Sequence, residues 1–223
     1  TLGSTLAEVG DYDAARQAFR RALVIDPEDL GAYLELSYLE LWQNANVEAA
    51  TRVLDQMAPG TPVNADVAKA RIDLLLYQRR FAQARAMAEE YADTFTTGPA
   101  AIDMAFARAR VEQLAGNIDG AHAFYRAAIK LVNQSGNDID HWSLAKAYAW
   151  LGDEKSAMRE FAVVKADKRW SQGGSSEYQV LALAKLQLAL GQKSAAIDSL
   201  GQHMVLRTKK GKPLEWTSPA LLR

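Results

Sequence analysis

The chain has 223 residues, 49% of them apolar and 24% charged, with 26 basic side chains against 27 acidic ones. That is the balance of an ordinary folded chain, and a formal charge of -1 gives no overall attraction for phosphate backbones or anionic lipid. With no cysteine there is no disulfide, thiolate metal site or cysteine nucleophile, and no apolar run approaches the roughly 18 residues of a membrane-spanning helix.

The first segment in chain order reads Leu2 and Gly3, then Gly10-Asp11-Tyr12, Ala15, Phe19, Ala22, Leu23 and Asp26-Pro27. Gly10 predicts the end of one helix, where a left-handed residue does best without a side chain. Asp11 predicts the cap of the next. Ala15 is small enough for two helices to approach closely, Phe19 fills the gap to a neighbouring unit, and Pro27 stops the second helix. A second unit runs from Tyr33 through Leu36, Ala50, Leu54 and Pro62, with an inserted residue in the turn at 44–46. The third is degenerate: Arg79-Arg80-Phe81 forms its turn and Ala84 takes the small position. The fourth has Gly116, Ile118, Ala121, Tyr125 and Ala128; the fifth has Leu144, Ala145, Tyr148, Gly152, Asp153, Ala157 and Phe161. The sixth has Leu183, Ala184, Gly191, Ala196 and Leu200, and extra residues fall at Ser135-Gly136-Asn137 and at 171–176. The turns recur at about 34 residues, growing somewhat toward the C-terminus, with apolar residues at helical spacing and no useful run of period two. The pattern predicts one continuous array with no internal boundary, each unit stabilised by its interface with the next.

This pattern resembles the tetratricopeptide-repeat (TPR) family, because the small, aromatic and proline positions agree in register. The resemblance implies an all-α, right-handed TPR superhelix, an α–α solenoid of about six helix pairs. The array is expected over residues 1–206, with a C-terminal capping tail at 207–223 that looks loop-like and that Trp216 pins to the last helix. The register sets Thr1 inside the first helix, so roughly five residues of that helix are expected upstream. Residues 121–223 also resemble the C-terminal TPR region of bacterial multidomain signalling proteins, namely Ser/Thr kinases, nucleotide cyclases and winged-helix regulators. The residues that carry this are Ala121–Ala128, Leu144–Asp153, Leu181–Gly191 and the closing Ser218-Pro219-Ala220-Leu221-Leu222-Arg223. The resemblance implies a bacterial protein whose catalytic or DNA-binding domain lies upstream.

Chemistry-bearing motifs are scarce. His122, His141 and His203 fall in different repeats at no metal-ligand spacing, and no phosphate loop or nucleophile elbow is present. The expectation is a non-catalytic chain with no metal and no cofactor. Co-chaperone TPR domains grip acidic C-termini with an asparagine where this chain has Glu35, so that partner class is set aside.

The resemblance implies instead that the first helix of each pair lines a concave groove. That places Tyr38, Trp42, Tyr77, Phe106, Arg110, Trp142, Lys146, Trp150 and Lys185 on the binding face. A row of cations (Arg110, Lys146, Lys185) beside Phe106, Trp142 and Trp150 suits a peptide bearing carboxylates and apolar anchors. The alternative is that Trp142 and Trp150 pack between units while the cations solvate the surface. The predicted function is a protein–protein interaction module; the runner-up is a spacer or oligomerisation platform in an envelope assembly such as polysaccharide export or secretion. Nucleic acid is disfavoured by the near-zero charge, and the compartment, bacterial cytoplasm or periplasm, is left open.

Overall fold

A computed structural model describes residues 1–136, 139–167 and 176–209. Among them are twelve α-helices and no strand. In chain order they are α1 (Leu2–Glu8), α2 (Tyr12–Ile25), α3 (Leu30–Asn44), α4 (Val47–Asp55), α5 (Ala65–Tyr77), α6 (Phe81–Thr94), α7 (Gly98–Leu114), α8 (Ile118–Gln134), α9 (His141–Trp150), α10 (Glu154–Ala166), α11 (Ser176–Ala189) and α12 (Lys193–Lys209). Odd-numbered A helices and even-numbered B helices alternate, joined within each pair by a short turn. The expected end of the array at residue 206 is passed, since α12 continues to Lys209. The first helix breakers in that stretch are Gly211 and Pro213. The loop at 171–175 and the tail from 210 lie outside the described residues.

One device makes every A-to-B turn. The chain leaves helix A through a left-handed residue: Gly10 (φ 86), Ala45 (φ 52), Arg79 (φ 56), Gly116 (φ 84), Gly152 (φ 78) and Gly191 (φ 75). An Asp or Asn then caps helix B. Asp11 accepts from the Ala14 N–H at 3.1 Å, Asn46 from Ala49 at 2.9 Å, Asn117 from Gly120 at 3.1 Å and Asp153 from Ser156 at 3.0 Å. The third turn departs from the rule twice. Arg79 pays a Cβ penalty in the left-handed region, and Arg80 has no acceptor to offer as a cap. Arg79→Gly is therefore expected to stabilise the chain by about 0.5–1 kcal/mol, the relieved strain outweighing the extra freedom of the unfolded glycine. A urea midpoint that moves down instead contradicts this.

The sequence reads as one unbroken stack, but the contacts divide the chain into two compact units, Thr1–Ala88 and Glu89–Lys210, with the division inside α6. Ala88 explains the weak point. It occupies the place filled by Phe19, Leu54, Tyr125 and Phe161 in other B helices and brings the smallest side chain. In the first unit, Phe19 packs on Ala32, Leu36 and Leu39, and Leu54 joins Leu34, Leu41, Val67 and Leu74. Gly3 permits the first of these contacts: a Cβ there would lie 2.6 Å from the Phe19 ring. The Ser37 hydroxyl ties α3 to α4 by donating to the Ala50 carbonyl at 3.0 Å. In the second unit, Tyr125 is buried with Ala109, Ala121 and Ala147, and Phe161 with Ala145, Ala149, Ala182 and Leu186. Each such aromatic contributes roughly 1.5–3 kcal/mol by burial. Alanines on the facing helices let the backbones come close enough for that burial.

Candidate functional site

Within the second unit, Phe106 and Arg110 sit one turn apart on α7, and Trp142, Lys146 and Trp150 repeat at intervals of four along α9. Residues spaced this way share a helix face. Ala105 and Ala109 of α7, and Ala145 and Ala149 of α9, are buried, which leaves the larger residues half-buried on the rim. The Lys146 ammonium lies 4.5 Å from the Phe106 ring centroid and 5.6 Å from that of Trp142. A cation from one A helix is thus held against aromatic faces of its own helix and its neighbour.

The rings continue from there. Phe106 meets Tyr125 of α8 edge-on, with centroids 5.8 Å apart at 61°. Tyr125 in turn stacks on Trp150 at 6.1 Å and 7°. On the other side Trp142 lies 6.1 Å from Phe161 at 50°. The Tyr125 hydroxyl donates to Gln113 Oε1 at 2.9 Å. Burial pushes its pKa far up, opposed only in part by the charge of Arg110, which places that guanidinium beside the ring cluster.

Phe106, Trp142, Lys146 and Trp150 therefore form one cluster with Arg110 at its edge. Lys185 stands on the next A helix, α11, where desolvation lowers its pKa although its side chain keeps an exposed flank. Tyr38 and Tyr77 belong to the first unit, packed against the core of Leu34, Leu41 and Leu74. Trp42 is carried on α3, and its side chain lies outside the described residues. Burial, then the charges of Asp73 and Asp66, raise the Tyr38 pKa; Lys69 opposes them and Glu35 adds to the rise. The aromatic residues of the first unit thus lie in acidic surroundings, and those of the second beside cations.

Residues 6–74 and 69–136 each match a model of the tetratricopeptide repeat. The chain belongs to the tetratricopeptide-repeat family. A TPR protein from Parabacteroides merdae has a similar fold, with a TM-score of 0.57 and 15% identity over 92% of this chain and 75% of that one. PilW, described as a widely conserved type IV pilus biogenesis factor, gives a TM-score of 0.51 and 19% identity over 96% of this chain and 93% of that one. The CTR9 homolog of Arabidopsis thaliana is 25% identical over 169 residues, 73% of this chain. The TPR chain spans only 15% of the length of that relative.

Two features of this TPR unit escaped the linear pattern. Tyr125 was readable as an interface residue, but its stacking on Trp150 depends on how α8 and α9 cross. A cleft of about 1080 Å³ opens beside Trp142, lined also by Pro99, Ile102, Leu131, Ile139 and Val163. It is built from the ends of four helices, so nothing contiguous in the sequence marks it. No helix among the described residues is long and apolar enough to cross a membrane.

His141, predicted as a surface or helix-face residue, is in fact paired. Its Nδ1 lies 2.7 Å from Oε2 of the buried Glu160, whose Oε1 accepts from Arg159 at 3.0 Å. Burial pushes the Glu160 carboxyl up, but the bonds and charges from His141 and Arg159 outweigh it and hold the pKa below the usual glutamate value. A lowered folded-state pKa stabilises the fold fully above the unfolded value of about 4.3, and the gain is lost as pH falls through the folded one. Glu160→Gln should melt below wild type at pH 7, with the gap closing in acid. A gap that stays constant down to pH ~3 contradicts the pairing.

Proposed function

We propose that this chain is a protein-interaction module that docks a partner segment on the face lined by α7, α9 and α11. The TPR family is a non-catalytic protein-interaction fold. The observation that carries the reading is the placing of the Lys146 ammonium between Phe106 and Trp142, with Trp150 and Arg110 in the same patch. Charge and ring edges within reach of one another fit a segment that carries carboxylates beside apolar anchors. Phe106, Trp142 and Trp150 supply the apolar contact; Arg110, Lys146 and Lys185 pair with the acids. The ring contacts between units do not compete with this role, since they hold the rims of the same rings in a fixed array. We place the module within a larger bacterial signalling protein, supported by the resemblance of residues 121–223.

The test is affinity capture from a lysate of the source organism, comparing wild type with the Arg110→Glu, Lys146→Glu variant. A protein retained by wild type and lost by the variant is the expected result. Equal retention by both, or none by wild type, overturns it. A second reading, a spacer or self-assembling platform in an envelope assembly, draws on the fold shared with PilW, a type IV pilus biogenesis factor. That reading requires a mass that rises with concentration in light scattering, whereas a docking module stays monomeric alone.

A further inference from the structure

In each B helix, the residue four places after the small alanine faces the following unit. Phe19, Leu54, Ala88, Tyr125 and Phe161 are all buried there. In α12 that residue is Leu200, four places after Ala196, and it is 42% exposed. Ile197 and Met204, three places before it and four after, are exposed along the same side. The other side of α12 is settled against α11: Ala196, Ser199 and His203 are buried, and the Ser199 hydroxyl donates to Gln187 Oε1 at 2.8 Å.

Gly201 lies beside this stripe in mid-helix, where glycine weakens a helix. A Cβ at Gly201 meets nothing within 4 Å, so neither a crowded neighbour nor a left-handed turn accounts for it. Close approach by a further segment does account for it.

We infer that the stripe of Ile197, Leu200 and Met204, with Gly201 at its edge, is the docking surface for the chain's own residues 210–223. Three facts select this occupant. The segment leaves from the end of the same helix. Extended at about 3.3 Å per residue it reaches roughly 45 Å, against about 25 Å for the whole of α12, so it can run back over the stripe. It also carries Leu214, Trp216, Leu221 and Leu222, between prolines that prevent α12 from simply continuing. A second copy fits less well. A stable dimer buries about 800 Å² per partner, more than one short stripe offers, whereas a tethered segment binds at high effective concentration.

The experiment compares hydrogen exchange in the full chain with that in a variant ending at Lys209. Deletion should speed exchange across residues 193–209 roughly tenfold and leave α7 and α8 unchanged. Leu200→Glu in the full chain should have the same effect. Equal protection of α12 with and without residues 210–223 overturns the inference. Because Leu200→Glu can disturb α12 directly, a second readout replaces Leu200 by the photo-crosslinker p-benzoylphenylalanine. A link to a peptide from residues 210–223 at monomer mass is expected. A link to a second chain, to another part of the same chain, or to nothing overturns the inference.

Discussion

Phe161→Ala will lower the unfolding free energy by about 3–5 kcal/mol, the largest single-residue effect in the second unit. The ring is 1% exposed and sits among Ala145, Ala149, Ala157, Val164, Ala182 and Leu186. Most of those neighbours are alanines, whose methyl groups cannot rotate into the space a ring vacates, so the cavity stays open. Loss of the ring contact with Trp142 adds about 0.5–1.5 kcal/mol within that range. Typical domains are stable by only about 5–15 kcal/mol, so the variant will be marginal. In a repeat array the loss is felt by the nearest neighbours. Amide exchange should therefore accelerate first in α9 to α12 and spare α1 to α4. Urea unfolding followed by circular dichroism reads the magnitude; a change below about 1 kcal/mol would contradict the packing described here.

Lys146→Glu will weaken partner binding on the order of 100-fold while leaving helicity intact. The substitution removes the cation held by Phe106 and Trp142, and it sets a carboxylate against two ring faces that repel it. Lys146→Met keeps the length of the side chain and removes only its charge, so about a tenfold loss is expected there. The control is Lys130→Glu on the exposed side of α8, which reverses a charge away from the A-helix face and should leave affinity unchanged. Titration at rising salt should weaken wild-type binding and have less effect on the Lys146→Met variant. Equal losses for Lys130 and Lys146 would mean that net charge, not this face, governs binding.

Much of the fold was legible because each turn is written in single residues. Gly10, Gly116, Gly152 and Gly191 mark left-handed exits, and Asp11, Asn117 and Asp153 mark caps, each a local requirement of the backbone. Even the departures were visible: Arg79-Arg80-Phe81 reads as a degenerate turn and is one. The division inside α6 was harder to read, because Ala88 satisfies the small-residue pattern while contributing little contact. The aromatic and cationic composition of the second unit's A-helix face could be read from the register. Its internal order could not, since the Lys146 position over Phe106 and the Trp150 stacking on Tyr125 depend on helix crossing angles. The pairing of His141 with Glu160 was hidden for the same reason: the two lie 19 positions apart on different helices.

The most direct measurement of the docking claim is photo-crosslinking from the A-helix face. Asp103 lies on α7 one turn before Phe106, shares its side of the helix, and is not among the proposed anchors. A crosslinker in its place is compared with one in place of Arg126, which is exposed on α8. With the captured partner present, adducts should form from position 103 and be absent from 126. Adducts from 126 alone, or equally from both, would show that the partner does not bind the face lined by α7, α9 and α11.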